Sequence, residues 1–216
     1  MEIKNLLKNI TKGNKYIGNI LNSYKNEEII QNNIIKELVK YHPTKKIDTN
    51  NVEWFKMLYR KPYNNLSLHY KYKNNIKIDD ISWKLCIRNL FDKYNKDEEY
   101  IKDVLSAFRN EIFEGTRKKY YIENTKNNVG ICDDCLIQTT NIDIDHYPQP
   151  YKLILNKFME KKNINLYNIN VYENNINMIK IEDKNLSKEW LYFHDNIAEY
   201  RLLCSSCNKK FGSYGY

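Results

Sequence analysis

Apolar positions recur with a helical period along "EEIIQNNIIKELVKY", Glu27 to Tyr41, where Ile29, Ile30, Ile34, Ile35, Leu38 and Val39 share one side. The two acids at its start suit a helix N-terminus, and His42-Pro43 ends it. The period then shortens. "NVEWFKMLYR", "LSLHYKYK" and "IKIDDISWKLCI" are short, aromatic and partly alternating, and Pro-Tyr-Asn-Asn and Asn-Asn turn signals separate them. They predict strands of a small antiparallel sheet. From Asp97 to Tyr121 helical spacing returns through Tyr100, Ile101, Val104, Leu105, Phe108 and Ile112, predicting a connecting helix.

The polar run "IENTKNNVG", residues 122–130, marks a boundary between a unit at 1–121 and a second at 122–216. Beyond it "NIDIDHYPQP" alternates isoleucine with polar residues and stops on Asp145-His146 before two prolines. A helix is expected over "YKLILNKFMEKK", with Leu153, Ile154, Phe158 and Met159 on one side, then a β-ribbon at "INMIKIED". The last stretch is "EWLYFHDNIAEYRLLCSSCNKKFGSYGY". No segment repeats, no run approaches eighteen apolar residues, and the charged N-terminus has no apolar signal-peptide core. The expectation is an intracellular protein without a membrane partner, in one large domain or two small ones at 216 residues.

Charge sharpens this picture through its distribution. Residues 1–126 hold 25 Lys/Arg against 16 Asp/Glu, whereas 127–216 hold 10 against 11, so the whole excess behind the net +8 lies in the first part. A basic, Tyr-rich unit suits a polyanion: Lys and Arg displace condensed counterions, and aromatic faces stack on bases. A solvated surface in a chain biased towards Lys, Asn, Ile and Tyr has the same composition.

Five cysteines are present, and four form the C-x-x-C pairs Cys132/Cys135 and Cys204/Cys207; Cys86 is left over. Without a secretion signal this pattern favours metal over disulfides. Two such pairs supply the four thiolates of a closed, structural zinc site, although two free dithiols or a redox pair fit the same spacing. The 68 residues between Cys135 and Cys204 must carry structure of their own. If zinc joins the ends of this unit, the strand end at Asp145-His146 can face Asn208, which directly follows Cys207 where a final helix should open. A carboxylate and an amide oxygen there suit magnesium or manganese, leaving His146 to take a proton from water.

These residues bear a resemblance to a known family. "DIDH", followed downstream by "YRLLCSSCNKKFG", resembles the HNH nucleases of the ββα-metal class over about residues 130–216. The resemblance implies an α+β chain with a small basic α/β N-terminal domain and a zinc-stabilised, treble-clef-like ββα-metal domain. It further implies Asp145 and Asn208 as ligands of one catalytic Mg2+ or Mn2+, His146 as general base, and Cys132, Cys135, Cys204 and Cys207 as structural zinc ligands. The implied reaction is phosphodiester hydrolysis. Where the family usually places a bracing Asn, five residues before the second cysteine pair, this chain has Glu199, with Asn196 out of register.

His194, in "FHDNIAEYR", is a further catalytic candidate that could steady a phosphate or bind the metal, or simply pack beside Phe193. Arg201, Lys209 and Lys210 are candidate nucleic-acid contacts; Arg201 reads equally as a cover for the sheet. More weakly, "LVKYHPTKKID…DDISWKLCIRNLF…AFRNEIF" resembles the basic domain named for the plant "defective chloroplasts and leaves" proteins. In phage and viral chains that domain stands beside an HNH-like unit, which places Cys86 on a strand and His42 and Trp83 in structural roles. DNA is the expected partner, RNA an alternative, and a homodimer is one route to double-strand cutting. The competing reading is a zinc-containing nucleic-acid adaptor or virion protein of the same fold that does not cleave.

Overall fold

The computed structural model describes residues 2–60, 65–174 and 178–212. The chain is a mixed α+β protein that divides into two compact units, Met1–Lys96 and Asp97–Tyr216. Among the described residues no helix is long and apolar enough to cross a membrane.

The first unit opens with two helices, α1 (Ile3–Leu7) and α2 (Ile10–Asn22), followed by α3 (Asn33–Leu38) and a 3-10 turn at Val39–Tyr41. The predicted helix over 27–41 is therefore confined to its second half. Its first half is extended: Glu27 N–H donates to Met57 O at 2.8 Å and Ile30 N–H to Phe55 O at 2.8 Å. Asn32 then starts the helix, its side chain accepting from the N–H groups of Ile34 and Ile35 at 2.9 and 3.2 Å. Asn9 caps α2 in the same way.

Three strands follow, β1 (Val52–Arg60), β2 (Asn65–Tyr72) and β3 (Ile78–Ile81), antiparallel in the order β1-β2-β3. Residues 62–64 of the expected Pro-Tyr-Asn-Asn turn lie outside the described residues. The third predicted strand is cut short. It ends at Ile81, and Trp83–Leu90 forms helix α4, so Cys86 stands on a helix rather than a strand. Ile87 and Leu90, one and four residues after Cys86, join it on the buried side, and that helical period overrides the short alternation before it. Burial pushes the Cys86 thiol up to about 12, which makes it an inert core residue.

Strand alternation gives the sheet two different faces. Phe55, Met57, Leu68, Tyr70 and Ile81 are buried with Leu7, Ile17, Leu21, Ile35 and Leu38. The alternate positions carry Trp54, Lys56, His69 and Lys71, in the register Trp54↔Lys71 and Lys56↔His69, with the Lys56 ammonium 4.9 Å from the Trp54 ring centre.

His42 closes the helical turn. Its Nδ1 accepts from Lys45 N–H at 3.0 Å and Thr44 N–H at 3.3 Å, which requires a neutral ring. Burial and then the Lys45 charge hold its pKa below the ordinary 6.5. Below pH 6.5 the unfolded chain binds a proton here that the folded chain does not, so stability falls as pH falls. The His42 ring resonance should titrate below 6.5, and His42→Ala should flatten the acid limb of the unfolding midpoint. An unchanged limb would remove this residue from the linkage.

The second unit begins with helix α5 (Lys96–Glu111), a 3-10 turn and α6 (Thr116–Asn124). Sequence reading puts this helical region with the N-terminal unit and the boundary at 121/122; the compact units divide at 96/97. Side-chain burial explains the difference. Val104, Ala107 and Phe108 of α5, with Ile112 of the 3-10 turn after it, pack in one core with α7 (Tyr151–Lys162) and α8 (Lys184–Asp195). Trp190 is fully buried there, edge-on to Phe108 at 5.7 Å, and its indole N–H donates to Phe108 O at 2.8 Å.

The remaining strands are β4 (Gly130–Ile131), β5 (Gln138–Thr139), β6 (Ile142–His146), β7 (Val171–Glu173), β8 (Ile179–Ile181) and β9 (Tyr200–Cys204), and the last helix is α9 (Ser205–Gly212). They form three two-stranded antiparallel ribbons, β4-β5, β6-β9 and β7-β8. The predicted ribbon at "INMIKIED" corresponds to β8, while its residues 176–177 lie outside the described residues. The C-terminal end of α5 holds β8: Asn110 donates to Ile179 O at 3.0 Å, and the Glu111 carboxylate accepts from Ile181 N–H at 3.0 Å.

Candidate functional site

The four paired cysteines meet. Their sulfurs all lie within 4.8 Å of one another, and Cys135 and Cys204 are 3.7 Å apart, far beyond a disulfide bond. Four thiolates about 2.3 Å from a central zinc stand about 3.8 Å apart, so the donor set fits a tetrahedral metal such as zinc. Local hydrogen bonds build the cluster. Cys132 N–H donates to Ile137 O at 3.0 Å and Leu136 N–H to Cys132 O at 2.9 Å, closing the first knuckle. Asp133 ties it to β9, accepting from Leu202 N–H at 2.6 Å while its own N–H donates to Leu202 O at 2.8 Å. Burial raises the Cys132 pKa, but the N–H groups of Cys135, Cys204 and Asp134 outweigh that and bring it to about 6, whereas Asp134, burial and the neighbouring sulfurs push the Cys207 thiol up, so without a metal the thiolate character is concentrated on Cys132.

β9 runs out of this cluster and pairs with β6, placing Asp143 opposite Leu203, Asp145 opposite Arg201 and His146 opposite Tyr200. α9 then returns against the hairpin. The order strand, strand, helix is the one expected, and the side-chain pairing differs within it. The Asn208 amide donates to the Asp143 carboxylate at 3.0 Å. The sequence expectation gave Asn208 to Asp145 and left Asp143 as a surface residue. Asp145 instead binds Arg201, with Nη2 and Nε at 2.8 and 2.9 Å from Oδ2. The register decides this: Asp145 lies directly across from Arg201, while Asp143, two residues earlier on the same face, lies nearer the start of α9.

Arg201 is also stacked, 4.4 Å from the Tyr147 ring centre and 4.3 Å from that of Phe211. It covers the strand pair and holds a carboxylate at once. Lys209 and Lys210 are exposed on α9, and Lys210 lies 3.9 Å from Asp134.

Strand alternation turns His146 away from Asp143 and Asp145. Its Nε2 lies 3.0 Å from Nε2 of His194, and His194 Nδ1 is 3.1 Å from Asp195 Oδ1. The carboxylate can only accept, so His194 Nδ1 carries the proton donated to it. With both rings neutral, His146 Nε2–H donates to His194 Nε2, and the lone pair of His146 sits on Nδ1. Burial, then His194, Arg117 and Arg109, bring the His146 pKa down to about 3. His194 is fully buried and its pKa is lowered, first by burial, against the opposing effect of Asp195. Thr116 Oγ1 donates to Asp195 at 2.7 Å and lies 3.1 Å from the Tyr200 hydroxyl.

Glu199, at the position where the resemblance expects a bracing Asn, meets the strand end through its backbone. Tyr147 N–H donates to Glu199 O at 3.0 Å, fixing the residue after His146 with no side chain involved. Asn196 caps α8, donating to Tyr192 O at 2.7 Å.

Sequence reading took Asp143 for a surface residue of the strand and passed over Asp195, Arg109 and Arg117. Only Asp143 carried a signal, its two-residue offset from Asp145; the others become neighbours of His146 through helix packing. Comparison with protein families, curated proteins and solved structures finds no match for this chain.

Proposed function

We propose that the second unit is a metal-dependent phosphodiesterase acting on DNA, a ββα endonuclease whose cation is held by Asn208 with Asp143 of β6. The observation that carries this reading is the meeting of Asn208 with Asp143 across a hairpin anchored by four cysteines. An amide and a carboxylate oxygen form a hard-ligand pair suited to Mg2+ or Mn2+. His146 supplies the base, neutral at physiological pH and oriented through His194 by Asp195. Asp143 here replaces Asp145 as the first ligand, because Arg201 already pairs with Asp145.

Bound at this pair, the cation would polarise the phosphate and stabilise charge on the leaving oxygen. The first unit is the support for a nucleic-acid partner. Residues 1–96 hold 19 Lys/Arg against 9 Asp/Glu, and one sheet face combines Trp54 with Lys56 and Lys71. Competing duplex DNA against RNA for binding and cleavage separates those substrates.

A second reading, a zinc-built nucleic-acid-binding protein that does not cleave, is favoured by one feature. His146 and the Asp143–Asn208 pair occupy opposite faces of β6. Incubating supercoiled plasmid with the protein across a divalent-metal panel distinguishes the two. The nuclease reading expects nicking with Mg2+ or Mn2+, reduced about 100-fold or more by Asn208→Ala. Tight binding with no nicking under any metal would establish the second reading instead.

A further inference from the structure

Two guanidinium groups approach His146; neither is in ion-pair contact with a carboxylate among the described residues, although the Asp143 and Asp145 charges act on Arg117 at longer range. Arg117 of α6 donates from Nη2 to Ile144 O at 3.1 Å, reaching the edge of β6 that carries no strand among the described residues. Its Nε is buried without a hydrogen-bond partner, and the buried Tyr151 hydroxyl has only the Arg109 guanidinium beside it, outside good hydrogen-bond geometry. Arg109 of α5 stands over the Tyr151 ring, 4.8 Å from its centre, and the Tyr151 and His146 rings are 5.5 Å apart.

A buried donor with no partner is costly, and an anion that accepts from Arg117 Nε removes that cost while drawing the exposed Arg109 guanidinium to it. The sign is set by the neighbours. The converging nitrogens of His146 and His194 resemble half of a cation site, but two guanidinium groups beside them repel a cation and attract an anion. The planar fork of arginine matches the oxygens of a phosphate.

We propose that Arg109, Arg117 and the Tyr151 hydroxyl form a receptor for a phosphodiester group of the nucleic-acid backbone, placing it beside His146 at the open edge of β6. This site rests on the phosphodiesterase reading and deepens it. The open edge lies between the strand face bearing Asp143 and Asp145 and the face bearing His146, so a phosphate bound there would be flanked by the base on one face and the cation ligands on the other.

The test uses the full-length, zinc-loaded chain with inorganic phosphate as probe. Histidine ring resonances are followed during titration, alongside plasmid nicking with Mn2+, for wild type, Arg109→Gln and Arg117→Lys. Phosphate should shift the His146 and His194 resonances of wild type. Arg109→Gln should weaken that binding about 10-fold and slow nicking about 100-fold, with zinc content and circular dichroism unchanged. Arg109 is exposed, so this variant keeps the test valid even if Arg117→Lys perturbs the fold. Histidine resonances that phosphate leaves unmoved in wild type would overturn the receptor, as would normal nicking by both variants. Phosphate binding that Arg109→Gln weakens, in a chain that fails to nick under every metal tried, would retain the receptor and reject the phosphodiesterase reading.

Discussion

Replacing Cys207 by Ser, or stripping the metal with a strong chelator, is expected to unfold the β6-β9 hairpin together with α9. The core around the cluster is small. Its buried members are Cys132, Ile142, Leu202, Leu203 and Cys207, so two of the five are themselves thiol ligands. The three aliphatic side chains contribute roughly 1.5–3 kcal/mol each. Ordering the backbone costs about 1–2 kcal/mol per residue, which exceeds that sum across the segments involved. A structural zinc contributes roughly 10–16 kcal/mol of binding free energy in small metal-folded peptides, enough to reverse the balance.

Native protein should release one zinc per chain on denaturation. Before release none of the five thiols should react quickly with a disulfide reagent, because the metal holds four, Cys135 being exposed and protected only in that way, and Cys86 is buried; afterwards all five should. Cys207→Ser protein that keeps its zinc and its unfolding temperature would refute the four-cysteine site.

His146→Ala is expected to lower plasmid nicking by about 10²–10⁴-fold, the usual contribution of a positioned general base. Zinc content and unfolding temperature serve as controls, since His146 is only partly buried and the Tyr200 and Tyr151 rings beside it keep their other contacts. Asp195→Asn should act in the same direction by a smaller factor. It removes the carboxylate that holds the proton on His194 Nδ1, and with it the preference that leaves the lone pair of His146 on Nδ1. Full activity in His146→Ala, with zinc retained, would take this residue out of the mechanism.

Much of the second unit was legible before any coordinates. The cysteine spacing announced the cluster, alternation across "NIDIDH" announced β6, and the helical period of "YKLILNKFMEKK" announced α7. Short-range signals did less well in the first unit. The apolar spacing of 27–41 reads as one helix, yet Ile30 is held by a backbone bond to Phe55, a partner 25 positions away that no local pattern displays. Trp83–Leu90 reads as the end of a strand because "IKIDDI" alternates before it, and its helical period becomes visible only over the full eight residues.

The candidate site divides along the same line. Ligand chemistry is carried by residue type and spacing, so four cysteines, a strand ending on Asp-His and an Asn after the last cysteine were readable in the sequence alone. Which aspartate meets that Asn depends on strand register, and register is fixed by the pairing of β6 with β9 and not by either strand separately. Asp143 and Asp145 are two residues apart on one face, and only the position of Arg201 across the ladder separates their roles. The surroundings of His146 depend on still longer-range packing. Arg109, Arg117, Tyr151 and His194 come from four different helices, brought together because α5, α7 and α8 bury one aromatic core around Trp190. Local sequence therefore determined which chemical groups are present, and tertiary structure decided their pairing, because pairing is set by partners distant in the chain.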